Sequence, residues 1–131
     1  MPHIVVESTR RLSAAIDFAA LFSAVHHRLA ADGHAALDDF MSRVHVTDRH
    51  LAGDDPDAEF VVAQLVTTNP RPKEAQRAMA AVIHDALRAA IEAEPQPYWW
   101  QCCVLIEPFD KVDYLKTDSH GGPETAHVQS F

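Results

Sequence analysis

The chain has 131 residues, of which 47% are hydrophobic and 23% are charged, a balance typical of one folded domain rather than of a disordered segment. A formal net charge of −8 argues against a nucleic-acid-binding protein, because phosphate contacts need clustered lysines and arginines. No apolar run approaches the roughly 20 residues that span a bilayer, and the first residues lack the features of a secretory signal, so we expect a cytoplasmic protein with no membrane partner.

The first half of the chain predicts a strand, a helix and a second strand. Residues 2–7 include three β-branched residues in a row and predict a strand. Residues 40–47 predict another, with Val44 and Val46 on one face and Arg43 and His45 on the other. Between Ser13 and Ala31 the spacing of apolar residues predicts one amphipathic helix, capped by Ser13 or Asp17 and ended by a left-handed Gly33. The stripe of this helix consists of Phe18, Leu21, Phe22, Val25 and Leu29.

The second half repeats this order after a polar loop over 51–57. Residues 60–66 carry no charge and predict a central strand, which Asn69-Pro70-Arg71-Pro72 ends. A helix is predicted over 73–93 and a fourth strand over 98–106, followed by a tail in which Gly121-Gly122-Pro123 is expected to be mobile. The second helix has the stripe Met79, Val82, Ile83, Leu87 and Ile91.

The order β-α-β, loop, β-α-β predicts an α+β fold in one domain over 1–131, with a core over about 2–106 and a tail over about 109–131. Two pseudo-symmetric units would join into one four-stranded sheet with both helices on one face. The other face would carry uncovered apolar side chains, which predicts a homo-oligomer.

Cys102 and Cys103 are adjacent and would point to opposite faces of the fourth strand. This placement disfavours a disulfide and offers no metal-ligand spacing, and free thiols fit a reducing cytoplasm. None of the nine histidines has the HExxH spacing, and no nucleotide-binding or nucleophile motif is present, so we expect neither a metal nor a cofactor.

Pro2 is the most informative residue for function. Removal of an initiator Met before a small residue leaves proline with a free secondary amine, whose unperturbed pKa is about 8. Burial lowers that pKa, because the charged form loses hydration, and a neutral amine near pH 7 is a competent general base. Met-Pro also starts many proteins without any catalytic reason, but here a strand follows at once and would hold the amine rigidly.

Several short segments together carry a resemblance to a known family. They are Pro2-His3-Ile4-Val5-Val6-Glu7, Ser42-Arg43-Val44-His45, Asp48, Phe60-Val61-Val62, Leu65 and the segment from Arg71 to Glu74. In this order the sequence resembles 5-carboxymethyl-2-hydroxymuconate isomerase, of the tautomerase superfamily, over about residues 2–106. The resemblance implies a homotrimer without a cofactor, in which Pro2 moves a proton within a small anionic organic acid from aromatic-acid breakdown.

The same resemblance implies that Arg43 and Arg71 bind the carboxylates of that substrate. The alternative to carboxylate binding is an ion pair on the strand face for Arg43 and a solvated loop charge for Arg71. Met41 departs from the family pattern, which has a basic residue there, so the substrate could be smaller or less charged. Tyr114 and Lys116 are candidates to close the site from the tail.

Two other functions remain open from the sequence. One is a different tautomerase-superfamily activity, on a smaller keto or halo acid. The other is a catalytically silent trimeric binding protein that keeps the fold. Retention of Met1 would favour the silent protein, because Pro2 would then be an amide nitrogen without basicity.

Overall fold

The computed structural model describes residues 1–68 and 71–119. The four strands are β1 (His3–Thr9), β2 (Met41–Thr47), β3 (Glu59–Thr67) and β4 (Trp100–Pro108). They form one mixed sheet in the order β2-β1-β3-β4. The outer pairs are parallel and the central pair β1–β3 is antiparallel, as two joined β-α-β units require. The predicted break at Asn69-Pro70 and the predicted mobile segment Gly121-Gly122-Pro123 lie outside the described residues.

The helix predicted between Ser13 and Ala31 is α2 (Phe18–Ala31). A short helix that was not predicted, α1 (Arg10–Ala14), precedes it. The carboxylate of Asp17 accepts the Ala20 backbone N–H at 3.1 Å and starts α2, so of the two predicted caps it is Asp17 that acts. The third helix is α3 (Lys73–Glu92). Within the described residues no helix is long and apolar enough to cross a membrane.

The helices bury their predicted stripes against one face of the sheet, as expected. Leu21, Val25 and Leu29 of α2 are buried, and Phe18 and Phe22 pack partly against the same core. Most of the other side chains in this core come from α3 and the two central strands: Met79, Ile83, Leu87, Ile91, Ile4, Val6, Val61, Ala63 and Leu65. Burial of the apolar area of these side chains is the main contribution to the stability of a small domain.

The boundaries of β4 differ from the predicted 98–106 by two residues at each end. β3 decides this, because the two strands pair in parallel from Glu59↔Trp100 to Thr67↔Pro108. A strand continues as long as its neighbour supplies hydrogen-bond partners, and composition alone does not record that length. Gly33 has φ +84°, the predicted left-handed conformation after the helix.

The face of the sheet away from the helices, here called the open face, carries alternate residues of all four strands. It includes exposed or half-buried apolar side chains of Met41, Val5, Val62, Val66 and Leu105. Cys102 and Cys103 fall on opposite faces of β4 and are free thiols, as predicted. The compartment in which they are kept reduced stays a prediction.

Candidate functional site

The start of the chain is buried at one end of the central strand pair. Met1 is 6% exposed, and Pro2 is also buried. The Met1 amine donates to the Thr68 hydroxyl at 3.3 Å, while the Pro2 carbonyl accepts the Met41 N–H at 3.1 Å. β1 therefore begins in a fixed position from its first peptide, and a free Pro2 amine at this position stays a prediction.

A cavity of about 500 Å³ opens beside this end of the sheet. It lies between the end of β3, the start of α3 and the segment after β4. Thr68, which binds the Met1 amine, is part of its wall. The other lining residues are Arg71, Pro72, Gln76, Pro108, Phe109, Asp110 and Lys111. A volume of this size suits a small organic acid.

The environment of the chain terminus disfavours a positive charge. Burial lowers the pKa of the Met1 amine to about 5, while the Asp39 carboxylate acts in the opposite direction. Repulsion from Arg71, Lys116 and Lys111 lowers this pKa further. The Met1 amine is thus neutral near pH 7, and the cavity wall beside it carries two cations, Arg71 and Lys111, and one carboxylate, Asp110.

Arg71 lies in the cavity wall. Its position between β3 and α3 had suggested that it could reach a bound carboxylate. It is half-buried, and its guanidinium donates to the Thr67 hydroxyl and, at 2.6 Å, to the His34 carbonyl. Burial lowers the pKa of this guanidinium. Gln76 donates to the Arg71 carbonyl at 3.1 Å and so fixes the backbone at the start of α3. Arg71 is therefore an anchored cation and not a freely solvated loop charge.

Arg43 approaches the chain terminus from the open face. Its Nη1 lies 3.2 Å from Nδ1 of His3, and Nε2 of His3 lies 3.2 Å from the Tyr114 hydroxyl. That hydroxyl in turn lies 3.5 Å from the Met1 sulfur. The structure thus brings Pro2, Arg71 and Arg43 to the same end of the sheet, with Arg43 connected through His3 and Tyr114.

Met41 lies directly opposite His3 in the β1–β2 register, with its side chain 43% exposed on the open face. A cation at this position would stand two residues from Arg43 on the same face of β2. Methionine offers no charge to a carboxylate. The departure from the family pattern therefore lowers the positive charge on the face of β2 that carries Arg43.

Tyr114 was only a loose candidate from the sequence, because it belongs to a tail without periodicity. The structure shows why it comes back to the terminus. The Phe109 N–H donates to the Thr67 carbonyl at 3.1 Å, and the Asp110 carboxylate caps a short 3₁₀ turn by accepting the Val112 N–H at 3.2 Å. No local pattern in the sequence indicated the direction of this turn.

A second cluster of ionisable groups lies at the other end of β1 and has a structural explanation. The buried Glu59 carboxylate accepts the Leu12 N–H at 3.3 Å and the Arg11 Nε–H at 3.1 Å. His50 donates to the Ala58 carbonyl at 2.8 Å. β1 separates this cluster from the cavity by roughly 20 Å, at about 3.3 Å per residue. Across residues 1–68 and 71–119, no group of three or more histidine, cysteine or carboxylate side chains could hold a metal ion.

Comparisons with known proteins give a family and a fold. The sequence model of a family described as 5-carboxymethyl-2-hydroxymuconate isomerase matches residues 2–118. Among solved structures, a 5-carboxymethyl-2-hydroxymuconate isomerase from Deinococcus radiodurans R1 is similar with a TM-score of 0.78 and 19% identity over 90% of each chain. A 5-carboxymethyl-2-hydroxymuconate delta-isomerase has a TM-score of 0.72 at 16% identity, covering 98% of this chain and 94% of its own.

A fused 4-OT wild type symmetric trimer has a TM-score of 0.68 at 13% identity, covering 97% of this chain and 99% of its own. No curated protein sequence matches the chain. At these identities the structural likeness establishes the fold, which is tautomerase-like.

Proposed function

The chain belongs to the 5-carboxymethyl-2-hydroxymuconate isomerase family, and we propose that it moves a proton within an unsaturated hydroxy or keto acid, using the Pro2 amine and no cofactor. Family membership makes the protein an isomerase. The catalytic group and the substrate class are our proposals. Removal of Met1 is the processing step that the mechanism needs.

The observation that carries the proposal is the buried start of β1 beside a cavity lined by cations. The same desolvation that lowers the pKa of the Met1 amine would act on a Pro2 amine at this end of the sheet. A ring nitrogen also has its lone pair in a fixed direction, because rotation about N–Cα is closed by the ring. The amine would therefore be both neutral and oriented, as a general base requires.

The reaction needs only one proton and no redox partner. The amine takes the proton from the hydroxyl of a dienol acid, and the electron pair left on oxygen forms the carbonyl while the conjugated double bonds shift. The protonated amine then returns its proton to the carbon at the far end of the conjugated system. The product is an unsaturated keto acid, and the amine is regenerated.

Arg71 and Lys111 favour an anionic substrate, because both cations line the cavity beside the chain terminus. We propose that Arg71 binds one carboxylate and that Arg43 acts from the open face. Met41 lowers the number of cations available there, which favours an acid with fewer carboxylates than the multiply charged muconates of aromatic-acid breakdown. A smaller keto or halo acid is accordingly the second candidate substrate.

We further propose a homotrimer assembled through the open face. Leu105 is 48% exposed and Met41 is 43% exposed on this face, and half-buried valines lie between them. Uncovered apolar surface of this kind is typical of a subunit interface. The related fold of the fused 4-OT symmetric trimer supports three copies as the assembly.

A direct ultraviolet assay tests the function. Enol-to-ketone conversion is followed with an aryl pyruvate and with a panel of dienol acids carrying one, two or three carboxylates, and halide release is followed with a haloacrylate. We expect turnover of at least one dienol acid, by protein whose intact mass lacks Met1. No turnover of any panel member by processed protein would leave the silent binding protein as the better description.

Arg71→Ala is expected to raise KM for the active acid by about 10- to 100-fold, with a smaller change in kcat. The expectation follows from the loss of one charge-assisted hydrogen bond, which contributes about 1.5–3 kcal/mol. Arg77→Ala is the matched control, because Arg77 is an exposed arginine of α3 that lies outside the wall of this cavity. An unchanged KM in Arg71→Ala would remove the carboxylate-binding role and leave the Pro2 mechanism standing.

A further inference from the structure

The segment after β4 returns to the chain terminus and presents the hydroxyl of Tyr114 there. Several contacts hold it in place. The Phe109 and Tyr114 rings pack with centroids 5.7 Å apart, and the Tyr114 N–H donates to the Lys111 carbonyl at 3.1 Å. The Tyr114 ring also meets the His3 imidazole edge-on at 6.1 Å. The tyrosine is thus packed between the tail and β1.

Hydrogen-bond chemistry fixes the direction of every proton in the chain of contacts from Arg43 to Met1. A guanidinium can only donate, so Nδ1 of His3 must accept from Arg43, and the ring proton then sits on Nε2. Nε2–H therefore donates to the Tyr114 oxygen. With its oxygen used as acceptor, the Tyr114 hydroxyl directs its own hydrogen to the Met1 sulfur.

The Met1 sulfur is a weak acceptor, and it belongs to the residue that the proposed mechanism removes. Without Met1, the Tyr114 O–H loses this acceptor and faces the space that the Met1 side chain leaves. A bound substrate oxygen is the acceptor that would replace the sulfur there. The hydrogen bonds from Arg43 to His3 and from His3 to Tyr114, here called the relay, polarise this O–H. Each donor in such a series strengthens the next hydrogen bond.

We propose that Tyr114 is a catalytic residue, whose hydroxyl donates a hydrogen bond to the substrate oxygen that becomes negatively charged when Pro2 removes its proton. His3 and Arg43 are positioning residues, which act on the substrate through Tyr114. The tyrosine keeps its proton throughout, so the single-proton balance of the reaction is unchanged. This inference rests on the proposed function, because it assigns the oxyanion donor of the same site.

The ionisation states fit these roles. Burial raises the pKa of the Tyr114 hydroxyl, and the Asp39 carboxylate raises it further, so the hydroxyl remains a donor. Burial lowers the pKa of His3, and the neighbouring Arg43 adds to this effect. His3 is therefore neutral near pH 7, as its acceptor role toward Arg43 requires.

The test is Tyr114→Phe, which removes the hydroxyl and keeps the ring. We expect kcat to fall on the order of 100-fold with KM within a few-fold, the behaviour of a group that acts on charge formed in the transition state. Tyr98→Phe is the matched control, since its hydroxyl bonds only to Gln96, at 3.0 Å, among the described contacts. It should keep the wild-type kcat.

A second pair of variants tests the relay and guards against a folding defect in Tyr114→Phe. His3→Leu breaks the chain of hydrogen bonds, whereas His3→Gln offers an amide oxygen to Arg43 and an amide N–H to Tyr114. We expect a loss of kcat in His3→Leu and partial recovery in His3→Gln, with equal melting temperatures. Equal kcat in the two His3 variants would overturn the relay.

The outcomes separate this inference from the proposed function. If wild-type protein turns over the dienol acid in a Pro2-dependent manner and folded Tyr114→Phe has the same kcat, the tyrosine assignment is wrong and the function stands. If activity does not depend on Pro2, the function itself is wrong, and the assignment of Tyr114 is overturned with it.

Discussion

Pro2→Leu is expected to retain Met1, because the large side chain at the second position prevents its removal, and to lose about 10⁴-fold in kcat. The amide nitrogen that results has no available lone pair. Pro2→Ala should still be processed and keep a terminal amine, although a primary and freely rotating one. We expect about a 100-fold loss for Pro2→Ala, at the lower end of what a general base contributes.

The two Pro2 variants are informative because they separate the effect of Met1 removal from the effect of the proline ring on the amine. Intact mass reports whether Met1 is present, and the ultraviolet assay reports kcat for the same samples. Both variants should fold, since the contact that Pro2 makes with β2 uses its backbone carbonyl and the Met41 N–H. Wild-type kcat in a sample of Pro2→Leu that retains Met1 would eliminate the amine mechanism.

Leu87→Ala is expected to lower the free energy of unfolding by about 2–5 kcal/mol. Leu87 is fully buried in α3 and belongs to the core between the helices and the sheet. Truncation removes transfer free energy and leaves a cavity that the neighbouring side chains fill only in part. Urea unfolding followed by circular dichroism measures the change.

Leu51→Ala is the matched control for this prediction, because Leu51 is 59% exposed in the loop between β2 and β3. A change within about 0.5 kcal/mol is expected there. Both variants must be compared at one protein concentration, since unfolding of a trimer would be coupled to its dissociation. A Leu87→Ala protein as stable as Leu51→Ala would contradict the assignment of α3 to the core.

Local patterns in the sequence predicted most of the fold. The apolar stripe of α3 predicted its buried face, and four β-rich segments predicted the four strands in their order along the chain. The short helix α1 was not predicted, because its five residues are too few to show a helical period. Ile16 lies between α1 and α2 and is buried, so the pattern of apolar residues did not mark the turn there.

The roles of the candidate site residues stay predictions, whereas their placement is observed. The sequence singled out Pro2, Arg43 and Arg71, and the structure brings all three to one end of the sheet. The relay through His3 to Tyr114 was not predicted, since residues that are 111 positions apart share no local signal. The contact of Phe109 with Thr67 and the turn capped by Asp110 direct the tail toward the terminus.

The sequence by itself determined which faces are apolar, where a terminal amine could form and which family the chain resembles. These properties depend on residue type and spacing along a few turns of chain. The tertiary structure decided which charges surround that amine, that Arg71 is anchored to His34 and that a tail tyrosine points at the first residue. Such properties arise from distances between remote segments, which become fixed only when the sheet pairs and the core packs.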